Sequence, residues 1–140
     1  MPSSPEESGR SSHRILEPLP NGPPPVGPYS TGVEIGGWLF LSGQIALESS
    51  GMIVQGGVGA EAELIFERVG QLLASAGLSP RNVVKLTLYL VDMASFQTVN
   101  QACARFFEEP FPARTTVEVS ALPKGAKLEV DVIAFRFDPA

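Results

Sequence analysis

The sequence has 140 residues, of which 44% are hydrophobic and 18% charged, and its formal net charge is -5. These values are typical of one globular domain with its own core, and they exclude fibrous and largely disordered proteins. The acidic balance and the absence of a Lys or Arg cluster in the sequence argue against nucleic acid as a partner, because binding to a phosphate backbone depends on many cationic contacts.

Membrane and secretion signals are missing from the sequence. No apolar run approaches the roughly 20 residues that span a bilayer, and no cationic segment leads into an apolar one at the N-terminus. The single cysteine, Cys103, cannot form an internal disulfide, which suits a reducing compartment. We therefore expect a cytoplasmic protein with no membrane partner.

The N-terminal segment is rich in Ser, Pro, Glu and Gly. Such a composition buries too little apolar surface to offset the entropy of ordering. We predict a mobile tail over residues 1–22, followed by a single domain over residues 23–140. The one histidine, His13, lies in this predicted tail and is a poor candidate for a catalytic base.

Apolar periodicity predicts the elements that follow. They are strands over 31–35 and 38–46, a helix over 60–76, a strand over 83–91, a helix from about 92 or 95 to 107, and two strands on either side of the turn at 123–125. This order predicts an α+β fold, a sheet with two helices on one face. Two helices cannot cover both faces, so we expect a symmetric oligomer to cover the other.

Two polar features interrupt these elements. Gly43 follows Ser42 inside an apolar strand, where a glycine often marks a bulge or a close approach by a ligand or by backbone. Asn100 lies one turn after Phe96, close to the inner face of the second helix, where structural bracing and ligand binding both remain open. Cys103 is expected to be a core residue.

The first helix has a row of charged residues that we expect on its solvent side. They are Glu61, Glu63, Glu67 and Arg68.

The C-terminal quarter contains the strongest chemical candidates. Arg114 follows the rigid Pro112-Ala113 pair, and its guanidinium suits a planar carboxylate. We expect the strands on either side of the turn at 123–125 to be neighbours, so that Glu129 on the second strand could accept a proton from water close to Arg114. From the pattern alone, a surface salt bridge between Arg114 and Glu118 or Glu129 is the favoured interpretation of this arginine.

Several motifs, in this order, resemble the YjgF/YER/UK family, also called RidA, of the 2-iminobutanoate/2-iminopropanoate deaminase type. They are PPPVGPYS at 23–30, LSGQI at 41–45, AG at 76–77, VVKLTLYLVDMASFQTVN at 83–100, FPAR at 111–114 and ALPKGAKLEVDVIA at 121–134. The resemblance implies a chorismate-mutase-like (YjgF-like) mixed sheet, assembled as a homotrimer with a central barrel and clefts between subunits.

The resemblance also implies an activity. Family members of this type hydrolyse reactive 2-iminoacids and their enamine tautomers, such as 2-aminoacrylate, to 2-ketoacids and ammonia without a metal or organic cofactor. Matched to this sequence, the implied catalytic residues are Glu129, Arg114 and Tyr29, and the implied substrate-binding residues are Arg114, Ser42, Asn100 and Thr116. Thr116 stands where a Cys is common, so a thiol would not be required.

The sequence departs from the family at the first helix. Glu61, Leu64 and Arg68 stand where relatives usually show Gln residues and later an Asn. These changes are expected to reshape the rim of the cleft and so the preferred substrate side chain. Two other functions remain open: a module that binds or senses a ketoacid or another small carboxylate, and the endoribonuclease or translation-inhibitor role attributed to some relatives.

Overall fold

The computed structural model describes residues 13–137 as one mixed sheet with two helices on one of its faces. The elements are β1 (His13–Leu16), β2 (Gly32–Ile35), β3 (Trp38–Gln44), α1 (Gly57–Ser75), β4 (Val83–Leu90), α2 (Phe96–Phe106), β5 (Ala113–Glu118) and β6 (Leu128–Phe135). The strand order is β1-β2-β3-β6-β4-β5, and only β4 and β5 run parallel. The α+β prediction is confirmed.

The core lies between the sheet and the two helices. Alternate residues of the central strands are buried, including Leu86, Leu88 and Leu90 on β4 and Leu128, Val130 and Val132 on β6. The helices supply a matching apolar stripe: Ile65, Phe66, Val69, Leu72 and Leu73 from α1, and Val99, Ala102 and Cys103 from α2. Apolar residues that recur every second position in the strands therefore pack against apolar residues that recur about every 3.6 positions in the helices, and together they form one apolar layer.

The predicted pairing of the last two strands was wrong. β5 pairs in parallel with β4, and β6 pairs with the other edge of β4, so β4 lies between them. The connection passes around the end of β4, where Val119 N–H donates to the Leu90 carbonyl and Val91 N–H donates to the Lys127 carbonyl. The reason is the α2 crossover, which returns the chain to the start of β4 and so makes β5 its parallel neighbour.

A strand that the sequence analysis missed lies within the segment predicted as the tail. β1 adds to the edge of β2 with four Cα pairs, from His13 with Ile35 to Leu16 with Gly32. Residues 1–12 of the predicted tail lie outside the described residues. In the described part of the chain, no helix is long and apolar enough to span a bilayer.

The sheet face opposite the helices presents apolar side chains to solvent. Ile15, Ile35, Trp38, Phe40 and Val117 are each more than a third exposed. Trp38 also packs on Phe135, with ring centroids 4.7 Å apart. This face is the surface that the predicted trimer would cover.

Candidate functional site

Glu129 packs directly on Gly43. A Cβ placed on Gly43 would lie 2.5 Å from Glu129 Oε2 and 2.8 Å from its Cδ, distances at which something must shift. The β3–β6 pairing shifts register between Leu41 and Gln44, so the strand also has an irregularity there. A strand irregularity and a close approach, the two features that a glycine within this strand suggested, therefore both occur at Gly43. The group that approaches the glycine is the Glu129 carboxylate.

Two surroundings raise the pKa of Glu129 above its ordinary value. Burial is the larger cause, because it disfavours the charged form, and the negative charge of Asp131 is the second. Asp131 is held by Tyr89, whose hydroxyl donates to Asp131 Oδ2 at 2.8 Å, and Tyr89 is the direct cross-strand partner of Glu129. A carboxylate with a raised pKa is a better general base near neutral pH.

Glu129 faces a cavity that we call the Glu129 cavity. Its volume is about 110 Å³. By the measure in which one water needs about 10–15 Å³, this is room for several waters or a small organic acid. The lining residues are Pro18, Leu19, Gly22, Pro23, Pro24, Pro25, Val26, Tyr29, Thr31, Gly43, Gln44, Ile45, Leu47, Arg68, Leu72, Pro123 and Glu129.

Tyr29, the third of the implied catalytic residues, lines the same cavity as Glu129. Its hydroxyl oxygen accepts the Val26 N–H at 3.3 Å, which leaves the hydroxyl proton available to a ligand. Ser42 is not in the cavity wall. Its hydroxyl donates to the Ser30 carbonyl at 2.6 Å and its N–H donates to the Thr31 carbonyl, so it fastens the segment that follows Tyr29.

Arg114 lies in a different hollow, which we call the Arg114 hollow. It has a volume of about 270 Å³ and is lined by Leu86, Asn100, Cys103, Ala104, Phe107, Phe111, Pro112 and Arg114. The guanidinium carbon is 5.5 Å from the centre of the Phe96 ring, within cation–π range. Among residues 13–137 no carboxylate forms an ion pair with Arg114, so the surface salt bridge considered from the sequence does not occur there.

The other two predicted binding residues lie near Arg114. Asn100 lines the Arg114 hollow from α2. Thr116 follows Arg114 on the same face of β5, and its Oγ1 is buried without a hydrogen-bond partner among the described residues. Cys103 is a buried core residue whose pKa is raised by burial, although Arg114 acts in the opposite direction.

The side chains of Arg114 and Glu129 lie on opposite faces of the sheet. Arg114 is paired with Leu86, a core residue on the helix side, whereas Glu129 is paired with Tyr89 on the side without helices. Within one chain, therefore, Arg114 and Glu129 cannot contact the same small ligand. The structure brings together Glu129 with Tyr29, and Arg114 with Asn100 and Thr116, as two separate groups.

The three departures in α1 occupy different surroundings. Glu61, which we expected on the solvent side of the helix, is fully buried. Its Oε1 accepts the Lys127 N–H at 2.8 Å, at the turn before β6, and this hydrogen bond satisfies the buried oxygen. Leu64 packs against the core. Arg68, also expected in solvent, is half-buried and lines the Glu129 cavity, while Glu63 and Glu67 are exposed as predicted.

Sequence reasoning did not identify Tyr89 and Asp131 as neighbours that matter to Glu129. The alternation that places Glu129 and Asp131 on one face was visible, but the position of Tyr89 depends on β4 lying beside β6. Among residues 13–137, no three His, Cys, Asp or Glu side chains are grouped closely enough to hold a metal ion.

Comparison with known proteins finds relatives that match most of the length of this chain. Residues 20–136 match the family model described as Endoribonuclease L-PSP. The human 2-iminobutanoate/2-iminopropanoate deaminase is 41% identical over 115 residues, which cover 81% of this chain and 84% of the human protein.

Solved structures of related proteins have the same fold. The crystal structure of RidA from an Antarctic Psychrobacter has a TM-score of 0.81 and 34% identity, and the match covers 87% of this chain and 99% of that one. E. coli TdcF with bound serine has a TM-score of 0.81 and 37% identity, with 89% and 99% covered. The chain therefore belongs to the Endoribonuclease L-PSP family, the YjgF/RidA family that its motifs resemble.

Proposed function

We propose that this protein hydrolyses reactive 2-imino and enamine acids, such as 2-iminopropanoate, to 2-ketoacids and ammonia. This proposal rests on the Glu129 carboxylate. It packs on Gly43, it faces a small cavity, and its pKa is raised. The 41% identity to a human protein named as such a deaminase supports the same reaction. We also propose the cytoplasm as its compartment, since its one cysteine, Cys103, is buried and unpaired.

The active site is proposed to form between two copies of the chain. Arg114 and Glu129 lie on opposite faces of the sheet in one chain, so they meet at one substrate only if neighbouring copies supply them. The exposed apolar face, with Trp38 and Phe40, supplies a surface for association. A homotrimer, in which each seam joins one Arg114 hollow to one Glu129 cavity, is the proposed assembly.

The proposed chemistry is addition of water followed by loss of ammonia. Arg114 holds the substrate carboxylate as a bidentate pair and so fixes C2 within reach of a water on Glu129. Glu129 takes a proton from that water as the water oxygen bonds to C2 of the protonated imine, and the C=N π electrons move to nitrogen, which gives a carbinolamine. Glu129 then passes its proton to the nitrogen, the C–N bond breaks as the C=O bond forms, and the hydroxyl proton returns to Glu129. The products are a 2-ketoacid and ammonia.

The other side chains have supporting roles in this proposal. Tyr29 has its hydroxyl proton available in the cavity and would donate it to the water or to the substrate nitrogen. Thr116 Oγ1 and the Asn100 amide would bind the carboxylate beside Arg114. Because such imines already hydrolyse in water, a modest reduction of the barrier by two or three positioned groups is sufficient.

A ligand-binding module is the second candidate, and the TdcF structure with bound serine is the observation that favours it. In that case Arg114 would bind a small carboxylate, and Glu129→Gln would leave binding intact with no turnover to lose. The endoribonuclease activity in the family description fits less well with a net charge of -5. RNA binding that weakens steeply with salt would be the observation in its favour.

Complementation between two inactive variants tests the proposal. Arg114→Ala and Glu129→Gln are expected to abolish imine hydrolysis separately, measured as ketoacid release when an amino-acid oxidase supplies the imine. Mixed by co-refolding in equal amounts, they are expected to regain about a quarter of the wild-type activity, because one seam in four then has both intact residues. Mixtures that stay inactive would refute the shared site, and full turnover by either variant alone would refute the residue assignment.

A further inference from the structure

Arg68 is the one departure in α1 that reaches the Glu129 cavity. The side chain is half-buried, and its Nη1 donates to the Leu47 carbonyl. Burial lowers the pKa of Arg68, and the negative charges of Glu67 and Glu48 act in the opposite direction. The guanidinium is thus partly desolvated but still charged, because its pKa starts far above neutral.

Most hydrogen-bond donors of this guanidinium have no protein acceptor among the described residues. A guanidinium has five N–H donors, and the Leu47 carbonyl accepts from one nitrogen. Among residues 13–137 no carboxylate lies within ion-pair distance of Arg68, since the described pairs are those of Arg105, Lys127 and Arg136. A partly desolvated cation with free donors gains most from an anion that enters the cavity.

Arg68 and Glu129 both line this cavity, and no ion pair joins them among residues 13–137. The carboxylates that influence Arg68 are Glu67 and Glu48, whereas the one that influences Glu129 is Asp131. The rest of the wall is largely apolar, with the buried Leu72, the partly buried Ile45 and three prolines from residues 23–25. The wall of the cavity therefore holds both a base, Glu129, and an anion receptor, Arg68.

We propose that Arg68 binds a second carboxylate of the substrate, so that the preferred substrates are 2-iminodicarboxylates, the imines of acidic amino acids, and the corresponding ligands are 2-ketodicarboxylates. The inference rests on the proposed function for the position of C2 at Glu129. The substrate's first carboxylate binds Arg114 of a neighbouring copy, and its side chain extends through the apolar part of the cavity to Arg68. A neutral alkyl side chain would leave the Arg68 donors without an acceptor.

Substrate preference distinguishes this role from simple bracing of Leu47. The assay measures kcat/KM for the imine of glutamate and for the imine of 2-aminobutanoate, each formed by an amino-acid oxidase, in wild-type protein and in Arg68→Met. The variant is expected to lower the ratio of the two constants by about 10- to 100-fold, the range for loss of a charge-assisted contact. Arg81→Met, which removes an exposed cation outside both hollows, is the matched control and should leave the ratio unchanged.

An Arg68→Met ratio equal to that of wild type would overturn the inference, because bracing of Leu47 affects both substrates alike. Arg68→Lys retains the charge and is expected to keep part of the preference; it replaces the methionine variant if that protein does not fold. If wild-type protein hydrolyses neither imine, the proposed function fails, and the inference is then tested by calorimetric titration with 2-oxoglutarate and 2-oxobutanoate. Tighter binding of the diacid that Arg68→Met removes would support it, and equal binding of the two acids would refute it.

Discussion

Gly43→Ala is expected to damage catalysis far more than stability. The added Cβ would lie 2.5 Å from Glu129 Oε2, about 0.9 Å short of the 3.4 Å at which ordinary contact begins. Gly43 does not have a positive φ, so the alanine adds no backbone strain. The Glu129 carboxylate is the far end of a flexible side chain and can move aside, so the change should cost under about 1 kcal/mol of unfolding free energy.

The catalytic loss follows from the same displacement. Moving a catalytic group by about 1 Å can lower the rate by about 100-fold, because attack depends on near-contact geometry. We therefore expect kcat/KM for imine hydrolysis to fall by about two orders of magnitude, measured by coupled ketoacid release, while chemical denaturation changes little. Gly59→Ala is the matched control, since its added Cβ would meet Thr98 at an ordinary 3.5 Å.

A double variant tests whether the loss acts through Glu129. Gly43→Ala should lower the activity of wild-type protein but add little to the loss already caused by Glu129→Gln, because groups that act as a unit are not additive. Additive losses would show that the alanine acts on something other than Glu129. Wild-type turnover by Gly43→Ala would refute the importance of the Glu129 position altogether.

Three further outcomes are expected. Removing the charge in Asp131→Asn lowers the raised pKa of Glu129, so the acid limb of the kcat/KM profile should move to lower pH, while Glu63→Gln, a change on the exposed face of α1, should not move it. Burial raises the pKa of Glu129 in the folded protein, so the stability linked to this group is present at low pH and is lost as pH rises through the folded pKa. Glu129→Gln should therefore be more stable than wild type at neutral pH in thermal melts. A lower melting temperature for the variant at neutral pH would contradict this direction of the pH dependence. Glu61→Ala leaves the Lys127 N–H without its acceptor and should cost about 1–3 kcal/mol in denaturant unfolding, whereas Glu61→Gln, which keeps an acceptor oxygen, should cost less; equal losses would refute this reason for the burial of Glu61.

The sequence determined the local elements and the chemical types at the site. Alternation over β4 and β6 and the apolar stripe of α1 were sufficient for the α+β fold, because burial on one face imposes those periods. The oddity of Gly43 within β3 was also visible. The sequence pattern did not predict β1, which lies in a segment with the composition of a mobile tail. This strand is stabilised by backbone pairing with β2 rather than by its own apolar side chains.

Only the tertiary structure decided which side chains meet. Strand pairing is non-local, so no local pattern shows that β4 separates Arg114 from Glu129, or that Tyr89 stands beside Glu129. The burial of Glu61 likewise depends on the Lys127 N–H, 66 residues away, and the position of Arg68 on the Glu129 cavity depends on residues 18–26 folding over α1. Residue type is a property of the sequence, whereas the partner that gives each charge its pKa, its contacts and its ligand is supplied by distant parts of the chain.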